Sequence, residues 1–357
     1  MTTAKKAFSA RIEKDPSVPK QRYNSMIQRA KGLLEIAAGM YDTSLSFQTT
    51  RAAEQVLQTE SRIGHDLNLS LIAGNGNGSN SLPLSFAAAG FAELKGVADG
   101  KFTLAWINPS VAVTLAYRGT GPFQKKLPLR VIATFPSYDV MGFAVRKSTG
   151  ITSLAQIAKE RFPLRLSTNV TSKEAINASP TMFTVVAVMK AAGFTLADLK
   201  KWGGKVVSVS RPSHPDRRDA IQNGTVNAVF DEGIKSWGQT AVDSGFVYLP
   251  IEGELLRRLA KIGYRTSVVP KARFKGMARD VPTVDFSGWP MVVHADLAND
   301  VAYALCEAIE KRRKQIPSDN FKPINMRQLC ANDGEAPFSA PLHPGARRFY
   351  RERGYLK

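Results

Sequence analysis

Cysteine is nearly missing from this chain, with only Cys306 and Cys330. Two such residues build neither a disulfide framework nor a thiolate metal cage. Cys306 shares a predicted helical face with Ala302, Leu305 and Ile309, so it reads as a small core residue. Long apolar runs are missing as well. The best stretch, Leu33 to Met40, carries Glu35 in its middle and is too short to span a bilayer. A secretory signal needs an apolar core after its basic start, and here Lys5 and Lys6 are followed by Arg11, Glu13, Lys14 and Asp15. The sequence as written therefore predicts a cytoplasmic protein, or a periplasmic one if the natural precursor begins differently. Histidine is scarce at 4 residues, and neither a Ser-His-Asp order nor a metal-ligand triad stands out. No metal and no cofactor is expected.

Acid is in deficit. The 49 Lys and Arg against 30 Asp and Glu leave a net charge of +19, and the surface potential should favour anions. The densest basic cluster, Lys311 to Lys314, closes a predicted helix, where cations complement the helix dipole. The chain has no Cys/His finger, basic zipper or aromatic RNA-binding signature, so nucleic acid is not an expected partner. A small organic anion is.

What is present is an ordinary globular composition, 43% hydrophobic over 357 residues, enough for two domains or two lobes. Residues 1–66 read as a helical N-terminal extension, with Leu33, Leu34, Ile36, Ala37 and Met40 on one stripe. Then Leu67, Leu69 and Leu71 alternate as a strand, a glycine and asparagine loop breaks the chain from Ala73 to Ser81, and an alanine-rich helix is predicted up to Gly96. The same order returns with a strand from Leu164, a polar loop from Ser167 to Ser179, and a helix opened by Ser179 as cap and Pro180 at its first position. Two copies of strand, loop and helix predict an α/β protein of two lobes. Lobe 1 takes residues 67–147 and 245–357, and lobe 2 takes residues 148–244. The crossings should fall near Val145 to Gly150 and Asp243 to Phe246, with strands at Phe246 to Leu249 and Met291 to Val293 returning to lobe 1.

In such sheets ligands collect beyond the carboxyl ends of strands. That rule nominates the loop holding Asn75, Asn77 and Ser79, the turn Asn108 to Ser110, the segment Ser137-Tyr138-Asp139, the helix start with Asn177, Ser179 and Thr181, and the acids Asp231 and Glu232. The first loop lacks the Lys-Ser/Thr ending of a P-loop, and its small amide and hydroxyl donors suit a carboxylate better than a nucleotide. Asp231 and Glu232 have three readings: a general base pair, a site for a ligand amine, or solvated loop acids. Asp139 has the same three.

The segments Trp106 to Ala112, Ala116-Tyr117-Arg118-Gly119-Thr120-Gly121-Pro122-Phe123, Gly150 to Leu154, Asp280 to Val284, His294 to Leu297 and Pro341-Leu342-His343-Pro344-Gly345-Ala346 resemble, in order, the TAXI family of solute receptors of TRAP transporters. The resemblance implies a two-lobed fold like that of periplasmic binding proteins. It also implies capture of a small carboxylate in the cleft and delivery to a membrane transporter subunit. Carried over by position, the family's ligand loops fall on Asn75 to Ser81, Asn108 to Ser110 and Ala178 to Thr181. The chain departs from the family at these same places, with Asn and Ser in the first loop and Ala-Ser-Pro-Thr at the helix start. Three readings follow: a carboxylate-binding receptor, a cytoplasmic enzyme such as a decarboxylase using Asp139, Asp231 or Glu232, and a ligand sensor. Binding ranks first, because a cleft of hydroxyls and amides binds well and catalyses poorly.

Overall fold

The computed structural model describes residues 32, 35–36, 56–62, 66–73, 82–88, 90–172, 175–316 and 323–357. The chain divides into two compact units, one of Met1–Val113, Leu127–Ser137 and Gly288–Lys357, the other of Thr114–Lys126 and Tyr138–Ser287. Each is a mixed α/β body around its own sheet.

The first unit holds strands β1 (Val56–Arg62), β2 (Asp66–Ala73), β3 (Leu82–Ala88), β4 (Leu104–Trp106), β5 (Leu129–Phe135) and β13 (Trp289–His294), in the order β1-β2-β3-β4-β13-β5. Two of these strands correct the sequence reading. β3 stands where the alanine content predicts helix, and it pairs antiparallel with β2 from Leu67↔Ala88 to Ala73↔Leu82. Its period is two, with Leu82, Leu84 and Phe86 alternating with Pro83, Ser85 and Ala87, and that alternation outweighs alanine's helix propensity. The helix starts only at Phe91, where the Glu93 carboxylate accepts the Gly90 N–H at 2.7 Å. β1 lies inside the stretch predicted as a helical extension, because pairing with β2 supplies it a hydrogen-bonding partner. Gly32, Glu35 and Ile36 are helical, and the rest of the predicted extension lies outside the described residues.

Beneath β4, the Trp106 ring packs on Phe135 and Trp289 at 4.8 and 6.1 Å between centroids. The helix Asn299–Arg312 turns Ala302, Leu305, Cys306, Ala308 and Ile309 inward, which places Cys306 in the core as its spacing predicts. His343 Nδ1 accepts the Gly345 N–H at 3.2 Å and caps the helix Pro344–Glu352. A Cβ on Gly345 would stand 2.0 Å from the Asn299 carbonyl oxygen, so this glycine permits a contact between two helices that no side chain allows.

The second unit is built on β6 (Gly142–Arg146), β7 (Arg165–Thr168), β8 (Lys205–Ser208), β9 (Ala228–Asp231) and β10 (Phe246–Tyr248), in the order β10-β6-β9-β7-β8. β7, β8 and β9 run parallel, while β6 and β10 are antiparallel to their neighbours. All four residues of β9 are buried, as in strands covered on both faces. A small ribbon of β11 (Thr266–Val269) and β12 (Val281–Val284) completes the unit. Ser153 and Ser179 cap their helices through Oγ, accepting from Gln156 N and Met182 N, the latter as the sequence predicts.

The chain passes between units at residues 113/114, 126/127, 137/138 and 287/288, not near 145–150 and 243–246. The reason is pairing. β6 and β10 bond to each other, Phe246 opposite Arg146, so both stay in the second sheet and only β13 returns to the first.

Gly288, next to one of these passages, has φ +84°, and a Cβ there would meet Ser110 Oγ at 2.3 Å and Pro337 Cδ at 2.9 Å. Gly288→Ala should lower the free energy of unfolding by about 2 kcal/mol in denaturant titration, from left-handed strain plus overpacking. Gly334 has open space around it, so Gly334→Ala should stay within about 0.5 kcal/mol of the parent.

Candidate functional site

β7 and β9 lie side by side and parallel, with Ser167 opposite Val229. The chain leaving β7 goes to β8 at one edge of the sheet, and the chain leaving β9 goes to β10 at the other. Their carboxyl ends therefore flank a topological switch point, the place where open α/β sheets take ligands. Thr168 and Asn169 stand at the end of β7, Asp231 and Glu232 at the end of β9, and Arg211-Pro212 beyond β8.

The anchor of this edge is Arg217. It sits on the helix Pro215–Gln222 at the first position of a buried i, i+3, i+4 stripe with Ala220 and Ile221. Its side chain is 0% exposed. Nη2 donates to Asp231 Oδ2 at 2.5 Å, Nε to Ser167 Oγ at 3.1 Å, and Nη1 to the Pro212 carbonyl at 3.4 Å. One guanidinium thus joins β7, β9 and the loop after β8. The other Asp231 oxygen accepts the Glu232 N–H at 2.8 Å. Burial pushes the Asp231 carboxyl up, and the Arg217 charge and hydrogen bond pull it back.

A second pair sits beside the first. The Asp139 and Glu232 carboxyls are hydrogen-bonded to each other. Asp139 Oδ1 also accepts from Val140 N at 2.8 Å and from Gly233 N at 3.1 Å. Burial raises Asp139 to about 6, against the hydrogen bonds from Glu232, Val140 and Gly233 and the charge of Lys235. Glu232 is pushed well above the carboxylate range by burial and by the charges of Asp139 and Asp231. Burial thus favours the protonated form of both carboxyls. Trp237 Nε1 fixes the backbone here by donating to the Glu232 carbonyl at 3.0 Å. A Cβ on Gly233 would be 2.8 Å from Pro212, which places the Arg211-Pro212 loop against the same turn.

Three buried polar atoms at this edge have no hydrogen-bond partner among the described residues: Thr168 Oγ1, Asn169 Oδ1 and Arg211 Nε. Buried polar atoms are almost always paired, so three of them at one strand edge, one on a guanidinium, are an exception to that rule.

Of the residues nominated from sequence, the structure brings Asp139, Asp231 and Glu232 together. Tyr138 adjoins them in the chain, but its hydroxyl donates to the Val268 carbonyl at 2.6 Å and Arg273 covers its ring. Ser179 is occupied as a helix cap, Asn177 is exposed, and Thr181 lies in the first turn of the helix Pro180–Ala191. Asn108, Ser110 and Ser137 belong to the first unit, around Gly288. There Asn108 Nδ2 donates to the Gly288 carbonyl at 3.2 Å, a structural use of a group read as a ligand donor, and Gly288 N donates to the Ser137 backbone carbonyl at 3.1 Å. Asn75, Asn77 and Ser79 lie outside the described residues. Sequence reasoning missed Arg211, Arg217, Thr168 and Asn169.

Residues 85–354 match the NMT1-like family model. Among solved structures, the chain is similar to the binding-protein component of an ABC phosphonate transporter from Pseudomonas aeruginosa (12% identity over 74% of this chain and 71% of that one, TM-score 0.34). It is also similar to the alkanesulfonate-binding protein SsuA of Xanthomonas axonopodis pv. citri (14%, 75% and 82%, TM-score 0.29) and the L-cystine solute receptor of Neisseria gonorrhoeae (11%, 62% and 69%, TM-score 0.24). Likeness at this level transfers no ligand and no residue role.

Two measurements check the edge. Arg217→Met, which strands Asp231 in the interior, should cost about 3–5 kcal/mol of stability, and adding Asp231→Leu should recover much of it. The raised Asp139 gives a pH signature of definite sign. Between its ordinary 3.8 and its folded value of about 6, the folded state keeps a proton that the unfolded state has lost. Its contribution is therefore full below about pH 4 and is lost as pH rises through about 6. Compared with Asp139→Asn, which cannot titrate at this position, the parent's unfolding free energy should fall over this window, and a constant difference between the two would show that the Asp139 carboxyl is not raised.

Proposed function

The chain belongs to the NMT1-like family, and on that premise we propose that it is a solute-binding protein for a small organic anion, held at the carboxyl edge of β7, β8 and β9. The observation that carries this reading is the set of unpartnered buried atoms at the switch point, Thr168 Oγ1, Asn169 Oδ1 and Arg211 Nε. Arg211 receives the carboxylate, since a guanidinium fork matches its two oxygens. Thr168 and Asn169 take polar groups beside it. The Asp139–Glu232 pair faces a hydroxyl or amino group better than a second carboxylate, which would meet like charge.

On this reading the chain serves as a receptor of the TAXI type and hands its solute to a membrane transporter subunit, in keeping with the motifs from Trp106 to Ala346. Import fixes a compartment. A receptor that loads a transporter works outside the cytoplasm, so recovery of the chain in the cytoplasmic fraction alone would keep the binding and exclude the transport. The acid pair supports a second reading, an enzyme on the same scaffold, because Asp139 with a pKa of about 6 is placed to trade a proton near neutral pH.

Calorimetric titration with a panel of keto, hydroxy, amino and dicarboxylic acids tests the proposal. One acid should bind, and Arg211→Met and Thr168→Val should each weaken it at least about tenfold by leaving a ligand group unpaired. Asn177→Ala should not. If some acid binds and both site variants hold it as tightly as the parent, the site is elsewhere. NMR of the incubated mixture separates the two readings, since a receptor returns its ligand unchanged.

A further inference from the structure

β10 is an edge strand, and its pairing with β6 determines which backbone groups remain. Lys147 N donates to the Gly245 carbonyl, and Leu249 N donates to that of Phe143. Phe246 stands opposite Arg146, Val247 opposite Val145 and Tyr248 opposite Ala144. In this antiparallel register, positions 245, 247 and 249 bond to β6, so the N–H and C=O groups of Phe246 and Tyr248 point away from the sheet. Among the described residues nothing bonds to them. Natural edges are usually guarded by lysine, proline, a bulge or short length, and Phe246-Val247-Tyr248, with 3 residues, has only the last of these.

Beside this strand lies a cavity of about 450 Å³, lined by Phe246 and Tyr248 together with Ile151, Met277 and Val281. Val247 also lines it and is 39% exposed, one of two large apolar side chains so exposed among the described residues. Lys147 and Arg279, both exposed, complete the lining. Neither forms an ion pair among the described residues.

We propose that this groove is a docking surface for an extended acidic segment of a partner protein, which adds a strand to the free edge of β10. Main-chain pairing satisfies the outward groups of Phe246 and Tyr248. Alternate side chains of such a strand share a face, so apolar ones enter the cavity while carboxylates meet Lys147 and Arg279. A small solute in the same cavity would leave the edge unpaired. The groove is separate from the candidate solute site, because β10 lies two strands away from β9.

The test uses the full chain and a fluorescein-labelled octapeptide alternating glutamate and valine, with a lysine and valine octapeptide as control. The acidic peptide should bind at least about tenfold more tightly than the basic one, and Lys147→Glu with Arg279→Glu should reverse the preference. Hydrogen exchange should show the Phe246 and Tyr248 amides, fast in the free chain, slowed by the acidic peptide. Absence of binding, equal binding of both peptides, or binding without slowing of these two amides overturns the proposal. So does slow exchange at Phe246 and Tyr248 before peptide is added, which would mean that the chain already covers its own edge.

Discussion

The second unit is organised by a charge it cannot hydrate. Arg217 has no exposed surface, so its guanidinium must find every partner inside the protein, and it does so on Asp231, Ser167 and the Pro212 carbonyl. Buried pairs of this kind are weak sources of stability, since an apolar replacement of equal volume often does as well. Their effect is positional. With the guanidinium fixed, the helix Pro215–Gln222 is held over β7 and β9, and Pro212 is held at the end of its loop. The Gly233 turn against Pro212 then presents its N–H to Asp139.

Charge arithmetic at this edge follows from the same constraint. Asp231 is answered by Arg217. The Asp139–Glu232 pair is faced by Lys235, whose charge draws the Asp139 carboxyl back toward its ordinary range.

The fold was legible where backbone demands are local. Ser179-Pro180 announces a helix start in two residues, and Ser179 caps the helix that follows, whereas the cap at His343 was not legible. The strand Leu129–Phe135, with Val131, Ile132 and Ala133 at its centre, is readable without its neighbours. The hairpin of β2 and β3 was hidden because alanine and serine occur in both helices and strands, and only the partner strand decides between them. Asp139 and Glu232 could be named from sequence but not joined, since ninety-odd residues separate them and the contact is made by the sheet. Arg217 left a faint trace, an arginine at the first place of an apolar stripe with Ala220 and Ile221. Thr168 and Asn169 left none. Nothing in their neighbours shows that a polar atom will be buried without a partner.

In the first sheet, β13 lies between β4 and β5 and is made last of the three, beginning at Trp289. A ribosome that has completed β4 and β5 must still synthesise more than a hundred residues before the strand that joins them emerges. Until then both strands offer open edges to any other chain, and the pairing that closes them spans a long loop in sequence. Synthesis rate and chaperone access over residues 136–288 therefore bear on the yield of the first unit, although most of those residues belong to the second.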